Sequence, residues 1–475
     1  MNVPGTSGTF TAVAARGALM SDTNISYMPT DGLCYDPSDG KYWDPAALQS
    51  ELTRVFEVCH GCRMCFKYCD SFPTLFSLID NERGEDVRNL TEADVEAVAD
   101  GCFQCKLCEV QCPYTPADDH EFQLDFPKLI HRYRAHQMRK RGLRFRDKVL
   151  SDPDGAAAKA RASFGLANVM NRVTLHRWFM EVVLGVHRRK LLPDFARQTF
   201  ERWAERVGRL TGKTGHEAVL FQTCFVQHNE PQIGRDTLEV MDANQVDAQC
   251  VEGLVCCGMP RWEKGDLEGV RRQARQNLDR LMPHVESGSK VVTLNPTCSM
   301  MLRKEYPELL EGEDRQRAQR LSEQVMEAGE FLWSLRKEER FNTDVKSRPD
   351  AEGFAYHAPC HLRAQRVGFK GRDLVKKVLG LKPATVMACC GHDGTYAMTT
   401  EGFEPSQRIG KNAFAEMAEA QSPVWATDCP LAALQFQQHA GVKPMHPMSI
   451  LARAYRPDGF GLPKLTQSTE EESSP

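Results

Sequence analysis

The fold is decided by two short runs of cysteines, Cys59-His-Gly-Cys62-Arg-Met-Cys65-Phe-Lys-Tyr-Cys69 and Cys102-Phe-Gln-Cys105-Lys-Leu-Cys108-Glu-Val-Gln-Cys112-Pro113. Both runs have the spacing C-x2-C-x2-C-x3-C. Cysteines repeated every three residues place thiolates around three corners of an iron–sulfur cube. Each run therefore predicts most of the ligands of one [4Fe-4S] cluster.

The fourth cysteine of each run is expected to bind the cluster of the other run, as in two-cluster ferredoxins. One cluster then takes Cys59, Cys62, Cys65 and Cys112, and the other takes Cys69, Cys102, Cys105 and Cys108. The alternatives are a pair of zinc sites or buried thiols without metal. Zinc is disfavoured because each run has more cysteines than a single C-x2-C knuckle.

The segments between these cysteines are expected to be helical. Residues 73–80 form an apolar helical pattern, and Thr91-Glu-Ala-Asp94 resembles a capping box that opens a second helix. The cysteine runs therefore join helices rather than β-hairpins. This pattern predicts an α-helical ferredoxin domain with two [4Fe-4S] clusters over residues 46–130, and its chemistry is one-electron relay.

Eight further cysteines form a pattern that occurs twice. In each half one cysteine follows an apolar run, a Cys-Cys-Gly turn comes next, and a last cysteine follows another apolar run. The first half holds Cys224, Cys256, Cys257 and Cys298, and the second holds Cys360, Cys389, Cys390 and Cys429. An internal duplication is the simplest account of this repeat.

Each half alternates short apolar strands with helical stretches, which indicates parallel βαβ units. Because ligands gather outside the carboxyl ends of such strands, all eight cysteines are expected to converge on one cleft as metal ligands. The vicinal pairs Cys256-Cys257 and Cys389-Cys390 are also the candidate catalytic residues. The alternative is that these pairs are buried thiols or strained disulfides.

These observations predict an α+β multi-domain protein, with the ferredoxin module followed by a duplicated α/β Cys-Cys-Gly unit. The predicted parts are a partly disordered leader 1–45, the ferredoxin domain 46–130, a basic helical connector 131–216, a first half 217–345, a second half 346–462 and a disordered tail 463–475.

The whole arrangement resembles the heterodisulfide reductase-related iron–sulfur oxidoreductases, and within them the C-subunit family of anaerobic glycerol-3-phosphate dehydrogenase. The resemblance is carried by four segments: Asn295-Pro-Thr-Cys-Ser-Met-Met-Leu, His357-Ala-Pro-Cys-His-Leu, Cys389-Cys-Gly-His-Asp-Gly-Thr-Tyr and His446-Pro-Met-Ser-Ile-Leu-Ala-Arg-Ala-Tyr. It implies electron transfer in the cytoplasm, often at the membrane surface and to quinone, and in relatives thiol–disulfide chemistry.

The chain departs from the fuller family motif, in which each half ends C-x2-C and supplies five thiolates to a non-cubane cluster. Met301 and Ala432 stand in the two final positions. We therefore expect one or two ordinary cubane clusters, or vacant sites, in these halves. Five histidines near the motifs are candidate ligands or proton donors, with structural hydrogen bonding as the alternative: His228, His357, His361, His392 and His446. Cys34 and Cys250 fit neither motif.

Charge is distributed unevenly along the chain. The net charge is −4, yet between Lys128 and Arg209 lysine and arginine outnumber aspartate and glutamate almost three to one. This block predicts docking to an acidic partner or to the anionic inner leaflet; the alternative is a solvated face packed on the acidic remainder of the chain. No recognition motif for nucleic acid accompanies it.

No apolar run reaches the roughly 20 residues of a membrane span, and the first 30 residues lack the apolar core of a secretory signal. Residues 208–215 match neither a dinucleotide-binding nor a phosphate-binding loop, so no flavin or NAD is expected. We predict a cytoplasmic oxidoreductase component, peripheral on the inner membrane face, that relays electrons between a partner dehydrogenase or redox protein and a quinone or disulfide. The alternatives are a self-sufficient thiol–disulfide reductase and a cluster-bearing redox sensor or scaffold.

Overall fold

A computed structural model describes residues 25–392 and 394–461. The predicted tail, and the leader as far as residue 24, lie outside the described residues. The rest of the leader is packed: Tyr42 is buried, and the buried Arg132 guanidinium donates to the backbone oxygens of Gly32, Lys41 and Tyr42 at 2.6–2.8 Å.

The ferredoxin region is helical, as predicted. Asp44 caps α1 through the Ala46 N–H, and Thr91 and Asp94 form the predicted capping box of α3. Phe56, Phe72, Leu75 and Ile130 fill the core between these helices. The helices are α1 Pro45–Cys62, α2 Ser71–Ser77, α3 Glu92–Asp100, α4 Leu107–Gln111 and α5 Phe126–Arg141, with a π-helical turn over Leu78–Glu82.

The connector continues from α5 as a series of short helices and then a first short strand. Val186 forms an isolated antiparallel bridge with Thr399, which fixes the connector against the second half. Its elements are α6 Phe145–Leu150, α7 Pro153–Ala162, α8 Leu166–Met170, α9 Thr174–Leu184, α10 Phe200–Arg206 and β1 Leu210–Thr211.

The first half is a parallel sheet covered by helices. Its strand order is β1-β3-β2-β4-β5, and each neighbouring pair of strands is parallel. The strands are β2 Ala218–Phe221, β3 Ala248–Val251, β4 Lys290–Thr293 and β5 Val325–Glu327. The helices are α11 Thr223–His228, α12 Pro231–Ala243, α13 Met259–Trp262, α14 Leu267–Glu286, α15 Pro296–Met300, α16 Tyr306–Leu309, α17 Gly312–Gln324 and α18 Ala328–Ser334, with a π-helical turn over Met301–Glu305.

The second half repeats the central part of the first. Its strands are β6 Gly353–His357, β7 Lys382–Val386 and β8 Trp425–Thr427, in the parallel order β7-β6-β8. Its helices are α19 Cys360–Ala364, α20 Lys370–Leu379, α21 Phe403–Glu419, α22 Pro430–Ala440 and α23 Pro447–Tyr455. This order is equivalent to β3-β2-β4 of the first half. The α+β architecture with a duplicated parallel unit is therefore confirmed.

Candidate metal centres and a shared cavity

The first cysteine quartet forms where α1 ends. Cys59 and Cys62 lie in the last turn of α1, and Cys112 directly follows α4. Burial and the neighbouring Cys65, Cys112 and Cys62 raise the pKa of Cys59 well above its ordinary value. Burial, Cys112 and Cys62 raise the pKa of Cys65 to about 12. The structure thus brings together the four cysteines predicted to share one cluster.

The second quartet is more deeply buried. Cys69, Cys102, Cys105 and Cys108 are each less than a tenth exposed. Burial raises the pKa of Cys108 well above its ordinary value, and the neighbouring Cys105, Cys69 and Cys102 add to it. Gln104 and Lys106 have positive φ angles of 59° and 60°, and these left-handed residues turn the chain between the cysteines.

Both quartets offer four sulfurs, the donor set that [4Fe-4S] clusters require. A mononuclear zinc site needs its ligands within about 2.3 Å of one ion. Across residues 25–392 and 394–461, no group of three His, Cys, Asp or Glu side chains converges closely enough to hold a single metal ion. The zinc alternative is disfavoured by the cysteine spacing, because each run holds four cysteines where a zinc knuckle holds two.

The two quartets are in contact. The Cys65 thiol lies 3.9 Å from the backbone oxygen of Cys108, and the two sulfurs influence each other electrostatically. The second quartet in turn lies beside the second half, because Cys389 is among the groups that raise the pKa of Cys69, after burial and Cys102. The quartets and the second Cys-Cys-Gly turn therefore follow one another in space.

All eight cysteines of the duplicated unit line one cavity of about 340 Å³. The strand ends explain this convergence: Cys224 follows β2, Cys298 follows β4, and Cys360 and Cys429 follow β6 and β8. The predicted single cleft is thus present. Phe103 and Leu107, from the loop of the second quartet, also line it, so the ferredoxin region forms part of its wall.

The four sulfurs of the first half form a chain of hydrogen bonds. Cys224 contacts Cys256, Cys256 contacts Cys257, and Cys257 contacts Cys298. Hydrogen bonds from Cys224 and Cys257 lower the pKa of Cys256 well below its ordinary value. No disulfide joins Cys256 to Cys257. The Cys256 N–H donates to a carboxylate oxygen of Asp154 on α7 at 2.8 Å, so the connector holds this turn in place.

The backbone conformation of each Cys-Cys-Gly turn favours glycine at its third position. Gly258 and Gly391 have φ angles of 94° and 69°, a left-handed conformation that favours glycine. A Cβ on Gly391 would lie 2.0 Å from the backbone oxygen of Ser406. In the second half the Cys389 sulfur accepts from the Gly391 N–H at 3.3 Å, and the Cys429 sulfur accepts from the Ala432 N–H at 3.4 Å.

Four of the five candidate histidines have hydrogen-bond partners that explain their burial. His228 Nε2 lies 3.0 Å from Asp154, His357 Nδ1 lies 3.3 Å from the Thr427 hydroxyl, and His446 Nδ1 accepts from the Met448 N–H. His361 bridges Thr297 and the backbone oxygen of Gln104. Both ring nitrogens of the buried His392 lack a hydrogen-bond partner among the described residues.

The connector supplies cavity residues that the sequence motifs did not reveal. Met180, Leu184 and Leu191 line the cavity, as does Lys190, which is 5% exposed and donates to the Gln435 amide oxygen at 2.5 Å. Burial lowers the pKa of Lys190 to about 8. A lysine inside a basic block carries no signal that separates it from its solvated neighbours, so only the fold identifies it.

The remaining predicted residues differ in their relation to the cavity. Met301 directly follows α15, is fully buried and is not among the cavity-lining residues, whereas Ala432 lines the cavity, as does Cys429. Cys34 donates to the backbone oxygen of Asp36 at 3.6 Å, and Cys250 is buried within β3. Neither of these two thiols is among the residues that line the cavity.

Comparison with known proteins agrees with this division of the chain. Residues 58–115 match the model of a 4Fe-4S dicluster domain. Residues 218–303 and 354–437 each match that of a cysteine-rich domain. The chain carries one 4Fe-4S dicluster domain followed by two cysteine-rich domains. Each cysteine-rich match begins within the central strand of its half and ends after the last cysteine.

Two similar proteins confirm the predicted resemblance. The C subunit of the anaerobic glycerol-3-phosphate dehydrogenase of Escherichia coli (strain K12) is 28% identical over 311 residues, 65% of this chain and 77% of the relative. Lactate utilization protein A of Bacillus licheniformis is 28% identical over 185 residues, 38% of this chain and 74% of the relative.

The helices and charges of the connector bear on whether the chain contacts a membrane. No helix in the described part of the chain is long and apolar enough to cross a membrane. Part of the connector's basic charge is neutralised by other regions: Arg141 pairs with Glu96 at 2.8 Å and Arg146 with Glu401 at 2.7 Å. The alternative of a face packed on acidic parts of the chain thus accounts for some of this charge.

Proposed function

We propose that the protein is an electron-transfer subunit that relays electrons between a partner redox protein and an acceptor bound in the cavity. The observation that carries this proposal is the spatial series of Cys65 beside Cys108, Cys69 beside Cys389, and Cys389 in the cavity wall. When bound, [4Fe-4S] clusters supply one-electron carriers. The chain's own residues hold the thiolates of the two quartets and of the cavity one after another in space. Their packing also excludes water from the second quartet.

The predicted cluster pairing supports this relay. We propose Cys59, Cys62, Cys65 and Cys112 for one cluster and Cys69, Cys102, Cys105 and Cys108 for the other. The four cavity-lining cysteines of each cysteine-rich domain suffice for one further cluster in each domain. Because Met301 and Ala432 stand at the two motif positions of the fifth ligand, and Cys250 does not line the cavity, neither domain offers a fifth thiolate there. Total iron is then between about 8 and 16 atoms per chain, at four per cluster.

A partner supplies the two-electron step in this proposal. The E. coli relative is named as a subunit of a dehydrogenase, which supports a partner dehydrogenase or redox protein here. The acceptor is a quinone or a disulfide. The vicinal pairs Cys256-Cys257 and Cys389-Cys390 line the cavity and are the candidates for catalytic residues.

The protein acts in the cytoplasm, peripherally on the membrane, in this proposal. Helix α9 exposes Leu175, Trp178, Phe179, Val182 and Val183, which recur at helical spacing on one face. Such an amphipathic helix lies in the interfacial plane of a bilayer with its apolar face inward. The unpaired part of the connector's basic charge favours an anionic surface.

The test uses the full chain, purified anaerobically with its clusters and with the native partner captured by pulldown. Cys256→Ser and Cys389→Ser are expected to abolish turnover with the native acceptor while both ferredoxin signals persist. Cys250→Ser, a buried thiol outside the cavity, is the matched control. Full turnover in both cavity variants would mean that the ferredoxin region alone carries the function. Disulfide reduction by the isolated chain with an artificial donor would instead support the self-sufficient reductase.

A further inference from the structure

The two cysteine quartets differ in how far they reach the surface. All four cysteines of the first quartet are partly exposed, whereas all four of the second quartet are buried. Phe103 and Leu107, from the loop of the second quartet, line the cavity, but no residue of the first cysteine run, 59–69, is among the described residues that do so. The first quartet therefore lies at the end of the series that is open to a partner from outside.

Large apolar side chains are exposed around this quartet. Met64 and Phe66 stand on either side of Cys65 and are 44% and 60% exposed. Scattered single apolar residues are normal on a protein surface, but a group of them beside a functional site marks an interaction surface. Methionine and aromatic residues are also enriched at the centres of protein interfaces.

The second cysteine-rich domain extends the same surface. Burial raises the pKa of Tyr68, and the charge of Arg363 acts against burial, which places Arg363 beside this phenol. Arg363 in turn donates to the backbone oxygen of Met387 at 2.7 Å. Met387 directly follows β7, and its side chain is exposed. The apolar surface around the first quartet thus draws on two domains.

The charge of this surface is positive. Residues 59–69 and 360–366 together hold two arginines in the second segment, Arg63 and Lys67 in the first, and no carboxylate. Arg63 is paired with Asp80 at 2.6 Å. The exposed Lys67 forms no ion pair among the described residues, and its ammonium lies 5.8 Å from the Tyr68 ring centre. A cation without a carboxylate is thus held at the edge of the exposed apolar side chains.

We infer that Met64, Phe66, Lys67, Arg363 and Met387 form a docking face for an acidic redox protein, which passes its electrons to the first quartet. This inference rests on the proposed function and gives the place and the charge of its partner. One electron leaves the partner's cofactor and reduces the cluster that the quartet would hold, and no bond or proton moves.

Charge complementarity decides in favour of an acidic partner. Opposite charges across an interface speed the encounter and fix its orientation, while like charges suppress wrong partners. Transient redox interfaces are also small, below about 1,200 Å² in total. A few apolar anchors with a cationic edge are therefore sufficient for this face. The exposed apolar side chains of α9 belong to the connector, so membrane docking and partner docking use different parts of the chain.

The experiment measures how fast an acidic plant-type [2Fe-2S] ferredoxin, in its reduced form, reduces the cluster-loaded full chain in stopped flow. The rate constant is divided by that for reduced methyl viologen, a small reductant that needs no docking face. Lys67→Glu is expected to lower this ratio about tenfold at low salt, because it reverses the attraction. Phe66→Ser is expected to lower it about fivefold, through loss of an interface anchor.

Matched controls separate docking from general effects. Lys213→Glu makes the same charge change at an exposed position in the first cysteine-rich domain, and Val207→Ser removes an exposed apolar side chain after α10. Both are expected to keep the wild-type ratio. Raising salt from 0.01 to 0.15 M should lower the ratio in the wild type more than in Lys67→Glu, since it screens the attraction.

Three results would overturn the inference. The first is an unchanged ratio in both Lys67→Glu and Phe66→Ser, and the second is an equal fall in the two control variants. The third is an unchanged ratio accompanied by loss of co-sedimentation with anionic vesicles, which would assign this face to lipid. Clusters that neither reductant can reduce in the wild type would contradict the proposed function itself, whereas reduction with no difference between variants and controls contradicts only the inference.

Discussion

The imidazole Nε2 of His361 lies 3.1 Å from the backbone oxygen of Gln104. His361 follows Cys360 in the second cysteine-rich domain, and Gln104 lies between two cysteines of the second quartet. Because Nε2 donates to this oxygen, Nδ1 is left to accept from the Thr297 hydroxyl at 2.9 Å. One ring therefore joins the ferredoxin region to both cysteine-rich domains.

Replacing His361 with Phe should loosen this junction. The buried backbone oxygen of Gln104 and the partly buried hydroxyl of Thr297 lose their partner. The expected cost is about 1–3 kcal/mol in the free energy of unfolding for the buried oxygen, and less for the hydroxyl, which water can reach. Denaturant unfolding of the cluster-loaded protein measures it. Electron transfer from the ferredoxin clusters to the cavity acceptor should also slow at unchanged iron content. Wild-type stability and rate in this variant would show that the junction is held by other contacts.

The cluster pairing predicts which substitutions share a phenotype. Cys69→Ser and Cys105→Ser should perturb the same paramagnetic signal, although 36 positions separate them, while Cys62→Ser and Cys112→Ser perturb the other. Electron paramagnetic resonance of the reduced protein distinguishes the two sets. If Cys69→Ser instead behaves like Cys62→Ser, each run binds its own cluster. Zinc in place of iron would reject the assignment altogether.

The ion pair of Lys106 and Glu305 tests the contact between the ferredoxin region and the first cysteine-rich domain. Both side chains are almost fully buried, and the Lys106 ammonium lies 5.3 Å from the Trp262 ring centre. Lys106→Met leaves a buried carboxylate without its cation, so unfolding free energy should fall by about 3–5 kcal/mol. Adding Glu305→Gln should restore part of it.

Lys128→Met is the matched control for that substitution. Lys128 pairs with Glu308 at 2.9 Å in a partly exposed position, and loss of an exposed pair costs about 0–1 kcal/mol. Urea titrations measure the free energy of unfolding of both variants. Equal losses of this free energy from Lys106→Met and Lys128→Met would contradict the role proposed for burial of the ion pair.

Membrane docking through α9 predicts a strong effect of charge on its exposed face. Leu175→Asp combined with Val182→Asp should reduce co-sedimentation with anionic vesicles at least tenfold, because burying each side chain contributes about 1.5–3 kcal/mol. Val442→Asp changes an exposed apolar residue outside the connector and should have no effect.

Raising salt from 0.01 to 0.15 M shortens the Debye length from ~30 to ~8 Å, so it should weaken vesicle binding only in part. Binding that disappears completely with salt would leave no role for the apolar face.

The carboxyl group of Glu327 predicts a pH dependence of stability. Burial raises its pKa to about 8, and Ser299, Asp428, Arg303 and Glu330 are the groups that face it. The folded state therefore holds this proton more tightly than the unfolded state does. Stability should fall as pH rises from about 4.5 toward 8, by roughly 1.4 kcal/mol per pH unit for one proton. Glu327→Gln should flatten this profile in thermal unfolding, and an unchanged slope would assign the effect to another group.

Most of the candidate site could be predicted, because its motifs consist of residues at fixed spacings along the chain. The capping box at Thr91 and the strand before Cys298 follow from residues within about ten positions of one another, and the repeated cysteine pattern placed the thiols at strand ends. The place of Lys190 in the cavity could not be predicted, since it depends on a contact with Gln435, 245 positions away. The apolar face of α9 was foreseeable in principle, because its exposed side chains recur at helical spacing, although their run is too short to span a membrane.

The composition of the cavity wall also bears on how the chain folds. The wall draws on residues from Phe103 to Leu434, so it closes only after almost the whole polypeptide has left the ribosome. Contacts of such long sequence separation form late, because they carry the largest loop-closure entropy. The helical ferredoxin region, built from nearby segments, can accept its iron early in synthesis. The eight thiols of the cavity stay open to solvent and oxidants until the end, which makes the last step of folding the one most sensitive to oxygen.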